Sequence, residues 1–230
     1  MDVSIPSMSQ QAHRPSGRMS AQVYELLKGR LVSGEFAPES WIRVESLKVE
    51  YGVSKQPIMD ALRMLNADGL VEIIPQVGCQ VASYTATEIA DFFSMFGGIE
   101  GSIASAAAIR ATREQLNELR RISDQIAQLR DLTDSSQRSQ AYLSLNREFH
   151  ATIYAMADSR IMTELSQRMH DLSDFLINTS GVPGALSGAL NDRHDDHERI
   201  IEALTQGDAE MARSLTHAHI ATTAHITHHE

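Results

Sequence analysis

The segment LSLNREFHATIYAMAD, Leu143 to Asp158, holds residues whose types and spacing suggest chemistry. Asn146 and His150 stand four apart, so on a helix they project from one face, together with Leu143, Ile153 and Tyr154. That face is otherwise suited to a core. In HDDHERIIEAL, His197 shares a stripe with Ile200, Ile201 and Leu204. In LTHAHIATTAHI, His219 falls on the apolar side with Leu215, Ala218 and Ile226, although a small rotation would turn His217 inward instead. Inward histidines on three helices, with a side-chain oxygen one turn from the first, can converge to an N₃O set for a divalent metal inside a bundle. The plainer alternative is that each is a core histidine satisfied by its neighbours. His194, His217, His225, His228 and His229 read as surface or helix-end residues.

Helices must position such a set. From Thr87 onward the periodicity predicts about six of them, over roughly 87–109, 112–131, 136–157, 159–179, 183–205 and 208–227. Thr112 with Gln115 forms a capping-box pattern, Ser159 and Asp208 are further helix starts, and GVPG at 181–184 breaks the fourth helix from the fifth. Upstream the pattern differs. Residues 1–17, rich in Ser, Gln and Pro, read as a flexible arm. A helix follows from Ser20 with Val23, Leu26, Leu27 and Leu31 at helical spacing and Gly34 as its stop. RVESLKVEYG is a second, and VSKQPIMDALRMLNADG a third, with Ser54 at the cap, Pro57 in the first turn and Gly69 as terminator. Two β-prone runs, Val71–Ile74 and Cys79–Ser83, then flank a Pro75–Gly78 turn. The expected fold is mainly α: a winged helix-turn-helix over 18–83, a linker near Ser83–Ala86, and an all-α bundle over 84–230.

Composition fits a globular protein of 230 residues, 42% hydrophobic. Neither a signal peptide nor a run of about 18 apolar residues is evident, so a cytoplasmic location and no membrane partner are expected. The single cysteine, Cys79, excludes an internal disulfide. A formal net charge of −10 argues against a basic surface that coats nucleic acid. The charge is uneven, however: the first 82 residues carry 8 Lys and Arg against 9 Asp and Glu, and the remainder 12 against 21. A local basic patch can survive in the near-neutral first third.

A turn that sets VSKQPIMDALRML across the preceding short helix would aim its first turn into a major groove. Lys55, Gln56 and Arg63 have the chemistry to read bases there: Lys or Arg for guanine acceptors or phosphates, Gln for adenine. Arg43 and the backbone near Ser54 could hold phosphates, and the Gly78 turn could lie along the minor groove. Any small three-helix domain also exposes polar residues at helix starts. The run from Leu31 to Val81, with GVS, Pro57, AL, GLV and a glycine in the wing, resembles the winged helix of GntR-type bacterial transcription regulators. The resemblance implies binding to a double-stranded DNA operator. Two positions depart from it: Met59 and Val77 stand where the family usually has Arg, which shifts the expected readout onto Lys55 and Gln56.

NREFH, DDHERIIEALTQGDAEMA and AHI resemble the signatures of the FCD effector-binding domain of the FadR-like branch of that family. The resemblance implies that Asn146, His150, His197 and His219 hold a divalent metal, with zinc preferred and nickel or manganese as alternatives. Asn146 replaces the more frequent Asp, and its neutral oxygen leaves metal charge uncompensated, which favours an anionic ligand. The Arg that clamps small carboxylates in many relatives is also missing, with Phe96 or Gly97 at its place. Phe92, Phe96, Gly97 and Arg147 are therefore expected to shape an effector pocket, either for an organic acid or for a bulkier apolar ligand. Close helix packing is the simpler reason for Gly97, Gly98 and Gly101.

The expected function is a homodimeric transcription regulator, a repressor rather than an activator. Its helical domain would bind metal and effector and so modulate operator binding. Two other readings fit parts of the sequence: a metal-dependent hydrolase built on the histidines, and an effector sensor whose DNA module has degenerated.

Overall fold

The computed structural model describes residues 16–182 and 184–227. Helices α1 (Ser16–Val32), α2 (Val44–Tyr51) and α3 (Lys55–Ala67) precede an antiparallel pair, β1 (Val71–Ile74) and β2 (Gly78–Val81). Ser16 and Gly17, expected in the arm, form the first turn of α1, and the rest of the arm lies outside the described residues. Leu27 and Leu31 of α1 meet Ile58, Leu62 and Leu65 of α3 in a fully buried core. α2 stops at Gly52, whose left-handed backbone (φ 64°) lets its N–H close on the Lys48 carbonyl. Ser54 occupies the cap position of α3 without a side-chain cap bond.

The hairpin pairs Val71 with Val81 and Ile74 with Gly78. β2 thus starts one residue earlier than its β-prone run and ends two earlier, because the Ala82 N–H turns to the Leu70 carbonyl at 3.1 Å. Trp41 makes a bridge to Gln80 beside this pair. A Cβ at Gly78 would lie 3.3 Å from the Trp41 ring, so the wing glycine is where the indole crosses the hairpin.

The remaining helices are α4 (Ala86–Arg110), α5 (Arg113–Gln128), α6 (Ser135–Ala157), α7 (Arg160–Thr179), α8 (Ala185–Gly188), α9 (Leu190–Gln206), α10 (Ala209–Ala221) and α11 (Thr223–Ile226). Capping boxes start α4 (Thr85 with Glu88) and α5 (Thr112 with Gln115), and Asp134 and Asp208 cap α6 and α10. Ser159 makes no side-chain cap bond.

Two of the six expected helices are interrupted. The run over 183–205 breaks at Ala189, whose N–H closes back on Leu186 at 3.2 Å; Pro183 lies outside the described residues. The run over 208–227 breaks at Thr222, whose hydroxyl donates to the His219 carbonyl at 3.0 Å.

α4 is long and apolar enough to cross a membrane by length and composition, yet 61% of its most apolar window is buried among the other helices. Its largest contact is with α10. A Cβ at Gly97 would lie 2.8 Å from the His217 carbonyl, and one at Gly101 2.7 Å from that of Arg213. The glycines therefore make room for a helix backbone. Ala improves a helix interior by about 1 kcal/mol over Gly, but overpacking against a fixed backbone costs about 1–3 kcal/mol. Gly101→Ala is expected to lower stability by a net ~0–2 kcal/mol in urea denaturation, and a more stable variant would contradict the close packing.

Candidate functional site

α6 presents His150 inward, α9 presents His197 and α10 presents His219, and all three rings are buried. One ligand atom from each lies within 4.8 Å of the other two. The His197 and His219 Nε2 atoms are 3.2 Å apart. His197 stacks on Phe149 at a centroid distance of 3.9 Å, which fixes its plane.

Carboxylates stand behind two of the rings. Glu100 Oε2 of α4 is 3.3 Å from His150 Nδ1, and Asp196 Oδ2 is 3.2 Å from His219 Nδ1. The Asp196 carboxylate on His219 Nδ1 favours the proton there and leaves His219 Nε2 with the ring's lone pair. Both ring nitrogens of His150, Nδ1 and Nε2, are buried and have no hydrogen-bond partner among the described residues. Asn146, one turn before His150 and also buried, accepts from the Tyr142 hydroxyl at 3.3 Å. Three buried imidazoles that converge this closely fit a borderline metal such as zinc, and His150, with neither ring nitrogen partnered, is the residue that a ligand would satisfy.

Burial, followed by the charge of the other histidines and of Arg193, pushes His197 well below the ordinary histidine range. Burial and Arg193 do the same to His219. Both rings are thereby held neutral, the form that can donate a lone pair. Arg193 is itself only 3% exposed. It donates from Nη1 to the His219 carbonyl at 2.9 Å and to Thr223 Oγ1 at 3.1 Å, and its Nη2 lies 2.9 Å from His219 Nε2.

The expected apolar pocket is not where the sequence suggested. Phe96 is buried with its ring edge on His170, Phe92 packs on Phe93 and Phe96, and α10 fills the space beside Gly97. Of the four expected pocket residues, Arg147 lines a large cavity. This is a groove of about 640 Å³ between α1, α6 and α7, which also reaches Lys28, Tyr154, His170, Asp171 and Asp174. It stops short of the three histidines; the His170 ring, 5.5 Å from that of His150, stands between. Arg147 donates to Asp171 at 2.8 Å and through Nε to Asp174 at 3.1 Å. Lys28 of α1 pairs with Asp171 at 3.2 Å, and Asn178 of α7 donates to the Val32 carbonyl at 2.8 Å.

At the other end of the molecule, Ser54, Lys55 and Gln56 are exposed at the start of α3, with Arg43 exposed just before α2. Gln56 and Arg63 both donate to Asp60, at 2.9 and 2.6 Å. Arg43 and Lys55 make no ion pair among the described residues, so they present unshared charge. Met59 packs against the core and Val77 is exposed at the hairpin tip.

Two family models match the chain. The one described as bacterial regulatory proteins, gntR family, covers residues 19–81, and the FCD domain covers residues 91–222. The chain belongs to the gntR family and carries an FCD domain. Among its relatives, the HTH-type transcriptional repressor GlaR of Escherichia coli (strain K12) is 26% identical over 202 residues, 86% of this chain and 91% of GlaR. A probable D-xylose utilization operon transcriptional repressor of Paenarthrobacter nicotinovorans is 25% identical, over 88% of this chain and 85% of that one. The E. coli McbR/YncC structure shares the fold, with a TM-score of 0.73 over 91% of this chain and 96% of that chain at 18% identity. This gntR-family protein is thus a transcriptional regulator; its domains and relatives are not those of enzymes, which removes the hydrolase reading of its histidines.

Sequence reasoning missed four groups around the regulator's cluster: Glu100, His170, Arg193 and Asp196. Glu100 had a signal, since it is a lone charge in the apolar run FFSMFGGIEGSIASAAA. Arg193 and Asp196 flank His197 on α9 at offsets of four and one, but among so many charges nothing marked them as inward. The buried rings generate a pH prediction. The unfolded chain takes protons on His197 and His219 near pH 6.5 while the folded chain holds both neutral, so stability is expected to fall as pH drops below about 6.5. In imidazole NMR titrations His197 and His219 should remain neutral at pH 6; half-protonation of either ring there would contradict the geometry.

Proposed function

We propose that this regulator is a homodimeric repressor of the FadR-like branch, with a divalent metal held by His150, His197 and His219 and by the Asn146 oxygen. The observation that carries the metal reading is the convergence of three buried imidazoles, one with both ring nitrogens unpartnered. Zinc suits the three nitrogens best, with nickel or manganese as alternatives. A bound metal would supply a fixed positive centre tying α6, α9 and α10 together. Asp196 orients His219, Glu100 stands 3.3 Å from His150 Nδ1, Tyr142 turns the Asn146 oxygen, and Phe149 holds His197 in plane.

The effector is a small organic acid. The neutral Asn146 and the buried Arg193 both leave positive charge that an anion would balance, and α10 fills the space a bulky apolar ligand would need. Operator DNA is read by α3 from a symmetric pair of winged helices, since one small module buries too little to be selective. A protein that reads an operator works in the bacterial cytoplasm, where the DNA is. Lys55 and Arg43 provide the unshared charge for bases and phosphates, while Gln56 must leave Asp60 before it can meet a base.

Metal analysis of protein purified without an affinity tag should find about one metal per chain in the wild type. His150→Ala with His197→Ala should lose it; equal content would sink the metal site. On operator fragments selected from genomic DNA, Lys55→Ala should weaken binding and lower the slope of log affinity against log salt by about 1. An unchanged slope would remove Lys55 from the interface.

A further inference from the structure

Arg193 is a buried cation with no carboxylate at ion-pair distance among the described residues, and its Nε has no hydrogen-bond partner. A charged guanidinium this deep is costly unless its surroundings compensate it. Its compensation comes from three neutral acceptors on α10 and α11: the His219 carbonyl, Thr223 Oγ1 and His219 Nε2. The third is the informative one. Asp196 engages His219 Nδ1, so Nε2 carries the ring's lone pair, and Arg193 donates into it. That lone pair is the one a metal in the histidine cluster would use.

We propose that Arg193 is an internal competitor of the metal, a guanidinium that occupies the His219 ligand atom and must be displaced when the cation binds. This rests on the metal reading above. A dication and a guanidinium cannot share one lone pair, and 2.9 Å from His219 Nε2 the arginine would stand against the incoming charge. Metal entry therefore breaks the Nη2 bond and loosens the link from α9 to Thr223. Tyr142 extends the arrangement: its hydroxyl lies beside Arg193 and donates to Asn146 Oδ1. Two of the four ligand atoms are thus engaged by internal donors. Metal and arginine become alternative occupants of one position, and exchanging them moves the α9 to α10 contact.

The test is zinc binding by the full chain in competition with a chelating dye, comparing wild type with Arg193→Met. The variant is expected to bind zinc at least ten-fold more tightly. Equal or weaker binding by a folded Arg193→Met overturns the competition and leaves the metal reading standing, whereas no zinc on either protein overturns both. Should the variant fail to fold, nitrogen-15 NMR of the wild type decides. On adding zinc, the Arg193 guanidinium resonances should change in step with His219 Nε2. If His219 Nε2 shifts while the guanidinium resonances stay in place, the competition is wrong.

Discussion

The backbone-to-backbone approach of α4 and α10 sets the geometry of the helical domain. A side chain at Gly97 or Gly101 would overlap carbonyl oxygens of α10, so the two helices lie at a separation that only these residues permit. Glu100 sits between the two glycines in sequence and is sealed inside against His150. His219, two residues beyond His217, is carried into the same space by the partner helix. The carboxylate on one side of the cluster and the imidazole on the other are both placed by a contact in which neither takes part. Wider spacing would separate them and let water in.

Charge inside this space is held in a narrow balance. Glu100, Asp196 and Arg193 are ionisable groups set around three buried rings, of which burial keeps His197 and His219 neutral, and several buried polar atoms lack partners among the described residues. Low dielectric magnifies each of these terms, so a part-satisfied network is costly to hold and sensitive to what enters it. Apolar residues of the same volume would make a more stable core. That the bundle holds ionisable groups here is a mark of function, and it matches the place of this domain in a transcriptional regulator.

Much of this was legible in the sequence. Period-3.6 patterns with their stop glycines gave helices near their true places, and the change to short β-prone runs marked the hairpin. The four-residue step from Asn146 to His150 and the stripes through His197 and His219 set three rings inward, because helical periodicity fixes a face. What periodicity cannot fix is which helix lies opposite. Gly97 and Phe96 suggested a cavity because glycine signals space without saying whether ligand or backbone fills it. Arg193 was invisible for a related reason: on a helix with several charges, only the tertiary neighbours decide which one is inside. The break at Ala189 follows Gly188, a breaker close to a second one at Gly184, whereas the break at Thr222 has no strong breaker beside it and depends on local hydrogen bonds.

α7 joins the two ends of the molecule. His170, near its middle, touches the histidine cluster, and Asn178, two turns further on, is bonded to the end of α1. Eight residues of helix span about 12 Å, so α7 is a stiff lever pivoted at the rings with its tip under the DNA-reading unit. Rotating it by about 5° about His170 would carry the tip by about 1 Å. Because Gly34 rests directly on the Asn178 carbonyl, with no side chain of its own between, a displacement of that size would bear at once on the backbone that follows α1.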